Sequence, residues 1–130
     1  MARGPKEFAV FPEQMKLVLV CVNKAYGKMD TYDAARYSWL IKPEKAGQVK
    51  YVMAVFRGVI VGVYEADDWL PAKEVHFSDL PPGHGNWQKQ EKRFGFVGRP
   101  APKDIEQLYS DKRVTKKWGF TRNSIRYVNF

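Results

Sequence analysis

The run Tyr51-Val-Met-Ala-Val-Phe-Arg-Gly-Val-Ile-Val-Gly-Val-Tyr-Glu65 constrains the fold most. It holds two strand-length apolar stretches, rich in β-branched and aromatic residues, that meet at Arg57-Gly58. This predicts a β-hairpin of 51–56 and 59–65 with a two-residue turn, or one long strand bulged at Gly58 or Gly62. A second strand is predicted over 16–23, where Leu17-Val-Leu-Val-Cys-Val22 is continuously apolar, as in a strand buried on both faces.

Other elements follow from local signals. Asp30 or Thr31 can cap a helix running from Tyr32 to Leu40, with Tyr32, Ala35 and Trp39 at helical spacing and Pro43 as its stop. Residues 42–50 read as a polar connection, and residues 1–14 as a loose lead-in. Residues 66–91, with Pro71, Pro81, Pro82, Gly83 and Gly85, read as a long surface excursion carrying at most a short strand at 75–77. Strands are expected at 93–97 and 125–130. Pro102 opens a helix over 103–109, its buried stripe formed by Ile105, Leu108 and Tyr109. Trp39 and Phe56 are expected in the core. With 130 residues, the chain suits a single domain spanning 1–130. The fold class is α+β, with a small, curved, mostly antiparallel sheet or barrel and two or three short helices.

The chain carries a net charge of +8, which favours polyanionic partners. The lone Cys21 lies in an apolar run and reads as a small buried hydrophobe, in keeping with a reducing cytoplasmic setting. The N-terminus has no signal-like apolar core, and no apolar run is long enough to span a bilayer. No phosphate-binding loop, dinucleotide fingerprint, zinc-protease motif or nucleophile elbow occurs. No metal or other cofactor is expected. The acids Glu65, Asp67 and Asp68, near Lys73, are a loose match to metal-dependent nuclease chemistry.

Aromatic residues interleaved with cations give the stronger signal. Arg36-Tyr37, Lys50-Tyr51, Arg93-Phe94, Lys117-Trp118 and Arg126-Tyr127 are all adjacent pairs. Aromatic faces stack on bases while lysine and arginine hold phosphates. The run Lys112-Arg-Val-Thr-Lys-Lys-Trp118 concentrates this character in Lys112, Arg113, Lys116, Lys117 and Trp118. Arg57 at the turn, and a pocket lined by Arg36, Trp39 and Trp69, complete the candidate nucleic-acid-binding set. Tyr32 and Arg36, four apart on a helix, share a face. Arg36 can hold a phosphate, or pair with Asp33.

The segments Tyr32-Asp-Ala-Ala-Arg36 with Trp39, Tyr51–Glu65 and the closing Tyr127-Val-Asn129 resemble a group of small uncharacterised bacterial and phage proteins. That group carries a Tyr-Asp-Ala-x-Arg-x-x-Trp motif. The strand pair is also similar to the PUA-like superfamily, which includes ASCH, EVE and YTH domains. This resemblance implies a curved barrel that binds RNA or modified bases in an aromatic pocket. The expected function is therefore a non-catalytic module binding RNA or DNA. The alternatives are a metal-dependent enzyme acting on nucleic acid or nucleotide, and a phage- or defence-related protein that binds a protein or signalling nucleotide.

Overall fold

A computed structural model describes residues 7–23, 26–73, 77–79, 93–115 and 125–130. The strands are β1 (Leu17–Cys21), β2 (Tyr37–Trp39), β3 (Tyr51–Phe56), β4 (Val59–Pro71), β5 (Phe94–Pro100) and β6 (Ile125–Val128). The helices are α1 (Thr31–Arg36), α2 (Pro43–Ala46) and α3 (Lys103–Tyr109). All six strands form one open sheet in the order β2-β5-β4-β3-β1-β6. Among the strands of the described residues, only the β1–β3 pair is parallel. The fold is α+β and mostly antiparallel, as expected.

β3 is central and β1 lies beside it, and both are apolar at every position. Side chains alternate across a strand, so Val18, Val20, Val52 and Ala54 enter one core. Leu17, Leu19, Tyr51, Met53 and Val55 enter another on the opposite face. The first core is covered by Ala34 and Ala35 of α1 and Ala46 of α2. The second is covered by Tyr109 of α3 and by Phe11 and Met15 from the N-terminal segment. Burying each large apolar side chain contributes about 1.5–3 kcal/mol, so both faces of the centre are strongly held.

The hairpin turn lies at Arg57-Gly58, with φ of 49° and 79°. Two positive φ values are what a type I′ turn requires, and Gly58 meets that demand without a Cβ penalty. A register shift leaves Val61, beside Gly62, as an extra residue opposite β3.

Several expectations change. The helix from Asp30 ends at Arg36, and Tyr37–Trp39 turn into an edge strand on β5. Local helical spacing yields there to a sheet edge in need of a partner. Pro43 opens α2 at its first turn and so does not merely stop a helix. β4 runs on to Pro71, so residues 66–71 belong to the sheet and not to a surface excursion. Phe77 donates its N–H to Lys73 in a helical bond and is fully buried, which replaces the strand expected there; residues 75–76 lie outside the described set. Residues 7–9 are tied into the fold by hydrogen bonds and are not loose. Leu108 is 56% exposed, so α3 buries Tyr109 and part of Ile105 only. Trp39 is in the core and Phe56 packs against it. Among the described residues, no helix is long and apolar enough to cross a membrane.

Burial raises the phenol pKa of Tyr64, Tyr109 and Tyr37, most of all for Tyr64. The folded state thus disfavours the phenolate, while the unfolded chain ionises near a pH of about 10. These groups leave stability unchanged below that value and erode it as pH rises beyond. Urea midpoints will fall above pH ~10, and Tyr64→Phe will flatten the fall; an identical slope in the variant would exclude Tyr64 as a cause.

Candidate nucleic-acid interface

The hairpin tip gathers part of the expected basic set. Ile60 donates to the Lys112 carbonyl at 2.9 Å, and Val114 donates to the Gly58 carbonyl at 2.9 Å. Arg113 in turn donates to the Glu7 carbonyl at 2.8 Å and accepts from Ala9 at 2.8 Å. Residues 112–114 are therefore clamped between the hairpin and the N-terminal segment. The Arg113 guanidinium lies 4.3 Å from the ring centroid of Phe8, which is 50% exposed. Arg57, exposed at the turn, lies 5.1 Å from the Phe56 centroid, and Tyr26 stands against Phe56 at 4.4 Å. The Arg57 N–H bonds Asn23 Oδ1 at 2.8 Å, which steadies the turn.

Lys112 Nζ meets the Glu7 carboxylate at 2.7 Å. That hydrogen bond, aided by charge attraction, holds the Glu7 carboxyl below its ordinary range. Lys112 is thus already partnered by Glu7. Lys116, Lys117 and Trp118 lie outside the described residues, which stop at Thr115 on this same end of the sheet.

Tyr32, Asp33 and Arg36 form a separate cluster. Asp30 caps α1 by accepting the Tyr32 N–H at 3.1 Å. The Tyr32 hydroxyl accepts from Gly98 N at 2.9 Å and donates to Gly98 O at 3.2 Å, fixing α1 to β5. Arg36 lies 5.2 Å from the Tyr32 centroid, in agreement with their shared face. Its guanidinium pairs with Asp33 at 2.9 Å and Asp79 at 3.0 Å, while the residue is only 4% exposed. Burial works to lower its pKa, but the hydrogen bonds and charges of Asp79 and Asp33 outweigh this and raise it. The ion-pair reading of Asp33 and Arg36 is the one this geometry favours.

Trp39 stands apart from Trp69. It is buried, with Nε1 donating to the Ala35 carbonyl at 2.7 Å. Trp69 does line a groove of about 300 Å³, with Asp67, Asp68, Phe94, Pro43 and Ala46, but without Arg36 or Trp39. The acids near it are engaged. Glu65 faces Arg99 across the β4–β5 pair, and Asp67 bulges out of register beside it. Arg99 takes both carboxylates, Glu65 at 2.9 Å and Asp67 at 2.7 Å. Asp68 accepts the N–H of Trp69 at 2.9 Å. Lys73 is exposed beyond β4. Among the described residues, no three His, Cys, Asp or Glu side chains converge as metal ligands.

A further basic and aromatic surface was not anticipated. Lys45 Nζ lies 4.3 Å from the Tyr127 centroid and 5.9 Å from that of Phe130. Lys16 Nζ lies 5.7 Å from the Phe130 centroid. Its members are scattered through the sequence; only the aromatic pair in Tyr127-Val-Asn-Phe130 hinted at it. Topology, not local pattern, brings them together.

Comparison with protein-family models, curated proteins and solved structures finds no match to this chain.

Proposed function

We propose that this protein is a non-catalytic nucleic-acid-binding module whose primary contact is the hairpin tip. The observation that carries this reading is the backbone clamp that sets Arg113 against the Arg57 turn, each guanidinium beside an aromatic ring. Arginines on a fixed backbone suit phosphate contacts, and Phe8 and Tyr26 offer exposed apolar faces to bases. Lys116, Lys117 and Trp118 follow directly in sequence. The net charge of +8 adds long-range attraction. Metal-dependent chemistry on Glu65, Asp67 and Asp68 has less support, because Arg99 already holds two of the three.

Fluorescence anisotropy with labelled RNA and DNA oligonucleotides at low salt tests the proposal. Replacing both Arg57 and Arg113 by Gln should weaken binding about tenfold and reduce the salt slope by roughly 0.7 per lost single-strand phosphate contact. Absence of binding by the wild-type protein, or an unchanged affinity in the double variant, would refute it.

A further inference from the structure

We infer that the surface formed by Lys16, Lys45, Tyr127 and Phe130 is a second contact for the same ligand, and that the ligand is single-stranded nucleic acid following the β6 edge. The inference rests on the tip being a nucleic-acid contact. β1 and β3 run parallel, with Leu17 beside Tyr51 and Cys21 beside Val55. Lys16 therefore lies at the end of the sheet opposite Arg57. β6 is antiparallel to β1, with Val128 opposite Leu17, so Phe130 also extends past that far end. A strand the length of β3 covers roughly 20 Å. β6 lies at the sheet edge between the two surfaces.

The far surface is prearranged. Asn129 adopts φ of 66° and donates from Nδ2 to the carbonyls of Pro12 and Met15, at 2.7 and 2.8 Å. The Tyr127 hydroxyl accepts the Lys42 N–H at 2.9 Å. These bonds hold Tyr127 and Phe130 edge-to-face, 5.3 Å between centroids. Binding there loses little freedom, because the aromatic pair is already ordered. Lys16, Lys42, Lys45 and Lys50 have no carboxylate partner among the described residues; Lys16 Nζ donates to the neutral Gln48 Oε1 at 2.6 Å, which leaves its charge uncompensated for a phosphate. Phe130 is 41% exposed, and an ammonium beside a ring leaves readily for a phosphate while a base takes its place on the ring. Only an unpaired base can do this, since a duplex keeps its base faces stacked internally; hence a single strand.

The test uses fluorescein-labelled oligo(dT) of about three and about twelve nucleotides, bracketing typical single-strand site sizes, and a duplex of the longer length. Three full-length proteins are compared: wild type, a far-surface variant (K16Q, K45Q and F130A) and a tip variant (R57Q and R113Q), each checked for an unchanged melting temperature. In the wild type the long strand should bind at least about tenfold tighter than the short one, because two contacts on one ligand reinforce each other. The far-surface variant should lose that length gain, and the duplex should bind more weakly than the long strand. A length gain retained in the far-surface variant, with binding weakened in the tip variant, overturns the second contact and leaves the tip. Loss in the far-surface variant alone sinks the tip instead. Preference for the duplex overturns the single-strand assignment, and no binding to any oligonucleotide removes both contacts.

Discussion

Gly98→Ala will destabilise the protein by about 3 kcal/mol or more, a loss read as a lower urea midpoint. A Cβ at this position would overlap the Glu65 carbonyl and crowd the Ala66 Cα, both of them backbone. The cause is the bulge at Asp67, which folds β4 closely over β5 where Gly98 pairs with Ala66. No rotamer change relieves a backbone clash, so the two strands must separate. That separation also disturbs Tyr32, whose hydroxyl bonds both the N–H and the carbonyl of Gly98. Gly62→Ala is the control. The atoms nearest its added Cβ all belong to the Tyr64 side chain, the first at 2.8 Å, and a side chain can shift. This should cost about 1 kcal/mol, toward the low end for overpacking. A Gly98→Ala protein within about 1 kcal/mol of wild type would show that the bulge does not press the strands together.

The hairpin was legible because its signals are local: two apolar strands and a glycine where positive φ is required. The double-sided burial of Leu17–Cys21 was legible for the same reason, since a run without polar positions has no face to give to water. Where β4 ends was not. Glu65, Asp67 and Asp68 look like a solvated exit until Arg99, from a distant strand, is placed opposite Glu65. The Tyr37–Trp39 strand was hidden by its own helical spacing, because the partner that converts it is β5, more than fifty residues on. Trp39 was nevertheless expected in the core, since a large apolar side chain is buried from a strand as well as from a helix. The tip was half legible. Lys112 and Arg113 were visible as a run, but their docking on the Arg57 turn depends on hydrogen bonds between segments far apart in sequence. The far surface, built from three separated segments, had only the Tyr127 and Phe130 pair as a local signature.

Asp33→Ala will destabilise the fold more than Arg36→Met, and the order of the two effects decides what Arg36 does. The Arg36 side chain is 5% exposed, Asp33 21% and Asp79 73%. Removing Asp33 strands a buried guanidinium with one solvent-screened partner. The loss should be about 2 kcal/mol, below the 3–5 typical of a fully buried pair because Asp79 remains. Removing Arg36 instead releases two carboxylates that water can reach, and methionine keeps an apolar stem against the Tyr32 and Phe77 rings. That change should stay within about 1 kcal/mol. In the Arg36→Met background, Asp33→Ala should have almost no further effect, since the charge it balanced is gone. Binding provides the independent reading. With Asp33 and Asp79 on its donors, Arg36 acts as a tie between α1 and the 77–79 turn, so Arg36→Met should bind oligonucleotides within about twofold of wild type, a difference of under 1 kcal/mol. A folded Arg36→Met protein that loses about tenfold in affinity, or roughly 1.4 kcal/mol, would identify Arg36 as a phosphate ligand and the two carboxylates as its resting partners.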